Sequence, residues 1–197
     1  MKAKNLSRIA LAVALAVPAI AAAESNFVTG ATPLSANARL DFRITIPRIL
    51  YLAVGSSNLP AFTDSGTVDI IDFTVPAANV GDGGSIASAP ASVTARLRGN
   101  GGNVQLRATT TGALANGSGD TISFTQIVGT SNNANLAHPV FVDGGPSAIV
   151  PVTATGRIVD ETATWTFAYS NNLLVPEGTY GGVNVNNSRV TYTATLP

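Results

Sequence analysis

The chain of 197 residues contains no cysteine. No disulfide can brace it, and no thiol is available as a nucleophile or metal ligand. It has a single histidine, His138. A zinc site built on several imidazoles is therefore excluded, and a Ser-His-Asp triad would rest on that one residue. His138 sits in Leu136-Ala137-His138-Pro139 with no nucleophile-elbow sequence in the chain, and reads as a surface or boundary histidine. Lysine occurs only as Lys2 and Lys4, charged residues make up 11% of the chain and aromatics 6%. Beyond residue 4 no lysine-mediated chemistry, isopeptide cross-links included, is possible. No run approaches the ~20 apolar residues of a spanning helix.

What is present begins with a leader. Lys2, Lys4 and Arg8 precede an apolar run of 12 residues, Ile9 to Ile20, and then Ala21-Ala22-Ala23. That order reads as a secretory signal peptide over residues 1–23, with cleavage after Ala23. The expected mature chain, Glu24 to Pro197, has 174 residues, enough for one domain with its own core. It carries eight arginines against eleven acids, a formal charge of −3. A nucleic-acid partner would need a basic face, and none is in prospect. The expected location is outside the cytoplasm, in a periplasm and then at the cell surface or beyond.

Short alternating stretches separated by Gly, Pro and Asn predict an all-β fold of about nine to ten strands in a two-sheet sandwich, mainly antiparallel. From Ala38 to Ile46 the alternation is unbroken. Leu40, Phe42, Ile44 and Ile46 fall on one face, Arg39, Asp41, Arg43 and Thr45 on the other. Pro47 interrupts, and the apolar run Ile49–Val54 follows and ends at Gly55. Further strands are expected over Thr67–Val75, Ser92–Arg98, Asn103–Thr110, Thr121–Val128, Ala148–Ala154, Thr162–Tyr169, Tyr180–Val185 and Arg189–Leu196. Gly99-Asn100-Gly101-Gly102 reads as a hairpin turn between two of them, and Asn186-Asn187 as another turn. The loops leave room for a short helical turn near Val80 or Ala134. No fixed-period repeat and no interdomain linker is visible. The organisation is thus an N-terminal extension, residues 24–47, and one β domain, residues 48–197.

No catalytic, cofactor or metal site is expected. Asp69 and Asp72, three apart in a strand, point to opposite faces. Asp160-Glu161 reads as solvated charge beside a turn. Asp82-Gly83-Gly84 and Asp143-Gly144-Gly145 each offer one acid where calcium needs six or more oxygens, so turn chemistry explains both. Trp165 and Tyr169 would suit a sugar-stacking platform if exposed. With Phe167 they share one strand face, which favours a core stripe. An outer-membrane barrel is disfavoured by strands mostly shorter than ~9 residues and by the lack of aromatic girdles.

The ends of the chain carry a resemblance. The alternating strand Ala38–Ile46 followed by Pro47 and Arg48–Val54 is one part. The closing Pro176-x-Gly178-Thr179-Tyr180-Gly181-Gly182-Val183 with its alternating residues to Leu196 is the other. Together, about a quarter of the chain resembles the pilin-like β-sandwiches of chaperone–usher fimbriae, nearest the cysteine-free alpha-class subunits and spore-coat-U-like secreted domains. The resemblance implies an incomplete immunoglobulin-like sandwich completed by a strand from a neighbouring copy. Leu40, Phe42, Ile44 and Ile46 would be the donor residues. Val190, Tyr192, Ala194 and Leu196, with the run Ile49–Val54, would wall the receiving groove. The implied partners are other copies of the chain, a periplasmic chaperone and an outer-membrane usher. Two alternatives stand beside it: Ala38–Ile46 pairs within its own domain, or the protein is a secreted monomeric module binding a ligand such as carbohydrate.

Overall fold

Alternating residues in two long strands build the centre of the molecule. Val93, Ala95 and Leu97 point inward from one strand and Ala163, Trp165 and Phe167 from its neighbour, all nearly inaccessible to solvent. The computed structural model describes residues 24–55 and 62–197, so the expected signal peptide lies outside the described residues. The chain divides into two units, Met1–Ile46 and Pro47–Pro197.

The second unit is all-β with antiparallel pairing throughout. Its strands are β1 (Leu50–Gly55), β2 (Ile86–Gly99), β3 (Val104–Thr110), β4 (Leu114–Ala115), β5 (Thr121–Ile122), β6 (Ile127–Ser131), β7 (Gly145–Pro146), β8 (Val150–Val152), β9 (Val159–Tyr169) and β10 (Thr191–Thr195). One sheet runs β1-β2-β9-β6 and a second β10-β3-β7, with β8 also on β3. Strands β4 and β5 form a small separate ladder. Val104, Leu106 and Ala108 of β3 and Val152 of β8 meet β2 and β9 in one apolar core, to which Phe124, Leu136 and Phe141 add from the connections. Burying each of the larger side chains contributes about 1.5–3 kcal/mol.

Several expectations are corrected here. Residues 99–102 are not a hairpin, because β2 and β3 belong to different sheets. The matched alternation of the two strands arises because both bury one face in the same core, and the Gly-rich turn carries the chain from one sheet to the other. Residues 67–75 form no strand. Ile71 and Phe73 pack on the core, but the only ladder contact there is the bridge between Asp72 and Ala89. The stretch 121–128 is broken by a 3-10 turn at Phe124–Gln126, where the Ser123 hydroxyl accepts from the Thr125 N–H and competes with a ladder. The segment 148–154 keeps only β8. Residues 180–185 form no strand, since Gly181, Gly182 and Asn184 take left-handed backbones that no ladder admits. Asn186 and Asn187 do turn the chain, at φ of 52° and 60°. Short 3-10 turns occur at Ala77–Asn79 and Ala134–Leu136.

In the first unit, residues 38–46 form no strand and belong to no ladder.

Candidate functional site

Among the described residues, strands β1 and β10 lie at the outer ends of their sheets, and each is paired on one side only, β1 with β2 and β10 with β3. A cleft of about 730 Å³ runs along them. All of β1 lines it, together with parts of residues 63–69, Thr94 and Arg96 of β2, and the stretch Arg189–Tyr192. Its lining is mixed. Leu52 and Val54 turn towards the core, whereas Asp64, Asp69, Arg96 and Arg189 bring charge.

Of the residues expected to wall a groove, Val190 and Tyr192 line this cleft. Ala194 and Leu196 pack against the core farther along the strand. There the Arg48 guanidinium donates to the carbonyls of Leu196, at 3.0 Å, and Pro197. From the apolar run, Leu50 to Val54 line the cleft; Ile49 is held elsewhere, its N–H donating to the Asn100 side-chain oxygen at 2.8 Å.

The expected donor residues are all exposed: Leu40 by 75%, Phe42 by 88%, Ile44 by 85% and Ile46 by 75%. In the first unit the Glu24 carboxylate accepts from the Arg39 side chain at 2.8–3.1 Å and from its backbone N–H at 3.1 Å. These bonds hold the Glu24 carboxyl below its ordinary range and raise Arg39.

His138 is the plainest correction to the sequence reading. It is buried, not at the surface, and stands among Phe141, Trp165, Phe167 and Tyr192 at ring separations of 4.7–5.7 Å. Its Nε2 lies 2.8 Å from the Tyr192 hydroxyl, while its buried Nδ1 has no hydrogen-bond partner. Desolvation lowers the imidazole to about 4 and pushes the Tyr192 phenol far above its ordinary range. Gly129 makes room for the ring, since a Cβ there would lie 2.2 Å from Nδ1. The histidine is a packed core residue with one polar contact.

Trp165 and Tyr169 are buried, at 0% and 6% exposure, and the Trp165 indole N–H donates to the Leu136 carbonyl. A stacking platform built on them has no surface. Asp160 and Glu161 are not merely solvated. Arg98 grips Asp160 across the β2–β9 pair at 2.6 and 3.0 Å, and Glu161 accepts from the Asn133 and Asn135 amides, each at 2.7 Å. Asp82 is consumed by turn contacts to Asn79, Gly84 and Asn171, which lower its carboxyl. Asp143 accepts from the Phe124 N–H. Among the described residues no group of three or more His, Cys, Asp or Glu could hold a metal ion, and no helix is long and apolar enough to cross a membrane.

Reading the sequence missed one recurrent device, the asparagine amide used as a rung of backbone. Asn135 both accepts from the Thr153 N–H and donates to its carbonyl, and Asn100 does the same across Pro47 and Ile49. Asn103 and Asn132 accept from Ala154 and Thr164. The abundance of asparagine was the available signal. Comparison with protein-family models, with curated proteins and with solved structures finds no match.

Proposed function

We propose that the protein is an exported structural subunit that assembles into surface filaments by β-strand donation. On this reading the two sheets are an incomplete immunoglobulin-like, pilin-like sandwich. The missing strand belongs between β1 and β10, and residues 38–46 of a second copy supply it. The observation that carries the proposal is the exposure, by 75–88%, of four large apolar side chains that alternate in sequence along a segment without a ladder. Such a segment with unpaired backbone is a template for pairing with another chain. The cleft offers β1 and β10, each with one side unpaired, and apolar contacts at Leu52, Val54, Val190 and Tyr192. Burying the four donor side chains would contribute ~6–10 kcal/mol, before any main-chain bonds. A head-to-tail contact of this kind propagates instead of closing.

Export through the inner membrane, residence in a periplasm and then at the cell surface, a role in adhesion, and help from a periplasmic chaperone and an outer-membrane usher all belong to the proposal. So does the absence of an enzymatic role. The alternative of a monomeric carbohydrate-binding module loses its main support with the burial of Trp165 and Tyr169.

The test is a denaturing gel of material released from the surface of producing cells, unboiled and boiled, with electron microscopy of the same sample. The expected result is a ladder of multimers that collapses to one band on boiling, with thin filaments in the images. Deleting Glu24–Ile46 removes the ladder. A single monomer band in both lanes, with no filaments, overturns the proposal.

A further inference from the structure

The face of the β1-β2-β9 sheet that turns away from the core carries two arginines of β2, and their surroundings differ. Ala95 and Leu97 are buried, so Arg96 and Arg98 both point outward. Arg98 stands opposite Asp160 of β9 and Tyr51 of β1. Its Nε and Nη2 donate to the two Asp160 carboxylate oxygens at 2.6 and 3.0 Å. The Phe62 ring lies under the same guanidinium, 5.5 Å from ring centre to the guanidinium carbon, and edge-on to Tyr51. Arg98 is fully employed.

Two residues back along the strand, Arg96 stands opposite Thr162 of β9 and Ala53 of β1. Neither carries a carboxylate. The Arg96 Nε is buried and has no hydrogen-bond partner. Arg96 takes part in neither of the ion pairs found among the described residues, Arg98–Asp160 and Arg39–Glu24. A buried N–H without an acceptor costs free energy, and the partner that a guanidinium fork fits best is a carboxylate. At Arg98 the sheet supplies that carboxylate itself. At Arg96 it has to arrive from outside.

The space around Arg96 says what kind of molecule would bring it. Arg96 lines the cleft of about 730 Å³, a volume that suits an organic ligand and exceeds what an inorganic ion needs. Ala53 leaves room over β1, because its side chain is a single methyl group. Hydroxyl groups line the same space, Thr94 and Thr162 from the sheet and Thr63, Ser65 and Thr67 from the segment 63–69. Asp64, exposed on that segment, adds an acceptor for hydroxyl protons. A carboxylate anchor beside hydroxyl donors and acceptors is the chemistry that holds a sugar acid.

We infer that Arg96 anchors a binding site for sugar acids, with its guanidinium on the ligand carboxylate and Thr94, Thr162 and Asp64 on the ligand hydroxyls. The site lies on the outer face of the sheet and makes no use of the buried Trp165 and Tyr169. It goes beyond strand donation and does not depend on it. Leu52, Val54 and Tyr192, which turn towards the core, take no part, and the site is complete in one copy.

Isothermal titration calorimetry of the mature chain tests the site, with D-glucuronate, D-galacturonate and N-acetylneuraminate as probes at neutral pH and fixed ionic strength. Acetate lacks the hydroxyls and D-glucose lacks the carboxylate, so these two are the controls. The expected result is saturable binding of at least one sugar acid, with a Kd of about 1 mM or tighter. Both controls bind at least about tenfold more weakly. R96Q weakens the sugar acid by about tenfold or more, whereas R157Q, which removes the same charge away from the cleft, leaves it unchanged. T162D gives Arg96 the cross-strand carboxylate that Arg98 already has, and abolishes binding in a folded chain. Trp165 fluorescence reports the fold, and if R96Q loses the native emission, T162D decides. Binding of none of the three sugar acids overturns the inference. So does equal binding of either control, or a sugar-acid affinity unchanged in folded R96Q or T162D.

Discussion

The His138 Nε2 lies 2.8 Å from the Tyr192 hydroxyl, which ties the connection between β6 and β7 through the core to the strand that borders the cleft. The ring is enclosed by aromatics and has no second polar partner, so a charge on it is poorly accommodated.

Stability should therefore fall in acid. Burial lowers His138 from 6.5 to about 4 in the folded chain. Between those values the unfolded chain binds more protons. The contribution is thus complete above pH 6.5, is lost as pH falls towards 4, and is level below. Its full size is on the order of 3 kcal/mol. Urea unfolding of wild type and His138→Gln at several pH values checks this, and the variant should lack the slope between pH 4 and 6.5.

Gly129 is required for steric reasons. A methyl group there meets His138 Nδ1 at 2.2 Å, against a ring that its aromatic neighbours hold in place. Gly129→Ala should destabilise the domain by about 1–3 kcal/mol, measured as a lower urea midpoint.

Asn171 is nearly inaccessible at 2% exposure and sits at φ 50°. Its amide accepts from the Gly81 N–H and donates to the Asn79 carbonyl and to Asp82. Asn171→Ala removes the acceptor of the Gly81 N–H and one donor each from the Asn79 carbonyl and Asp82, and keeps a left-handed backbone without a favourable side chain. The expected loss is about 2–3 kcal/mol, again from chemical denaturation.

Phe42 separates assembly from folding. At 88% exposure it contributes little to a lone chain, so Phe42→Asp should change monomer stability by less than about 0.5 kcal/mol. The same variant should abolish multimers on an unboiled gel. Equal loss of stability and assembly would place Phe42 in a core of its own chain.

Much of this was legible in the residues, and unevenly so. The alternation in Val93–Leu97, Val104–Ala108 and Trp165–Tyr169 identifies inward faces, because a period of two has one structural reading. It does not say which strand pairs with which. Residues 99–102 look like a hairpin turn, yet they join two sheets, since inward residues face one core whether their strands are neighbours or opposite. Residues 67–75 are rich in β-branched residues as a strand is but find only the Asp72–Ala89 bridge, because pairing is settled by tertiary placement. The burial of His138 was hidden for a related reason. Its neighbours Trp165 and Tyr192 come from distant strands, and the nearest local hint was the space left by Gly129. Of the expected groove wall, Leu50 to Val54, Val190 and Tyr192 border the cleft, while the Ala194 and Leu196 end lies beside the Arg48 contact.

The most direct measurement adds a synthetic peptide of residues 38–46 to the mature chain lacking residues 24–46. The buried core cluster lies wholly within Pro47–Pro197, so that domain keeps its core. Strand donation predicts that the peptide raises the thermal midpoint by at least about 5 °C, and that a peptide with Phe42→Asp and Ile44→Asp does not. No shift with the native peptide at millimolar concentration, or equal shifts with both, would contradict the account.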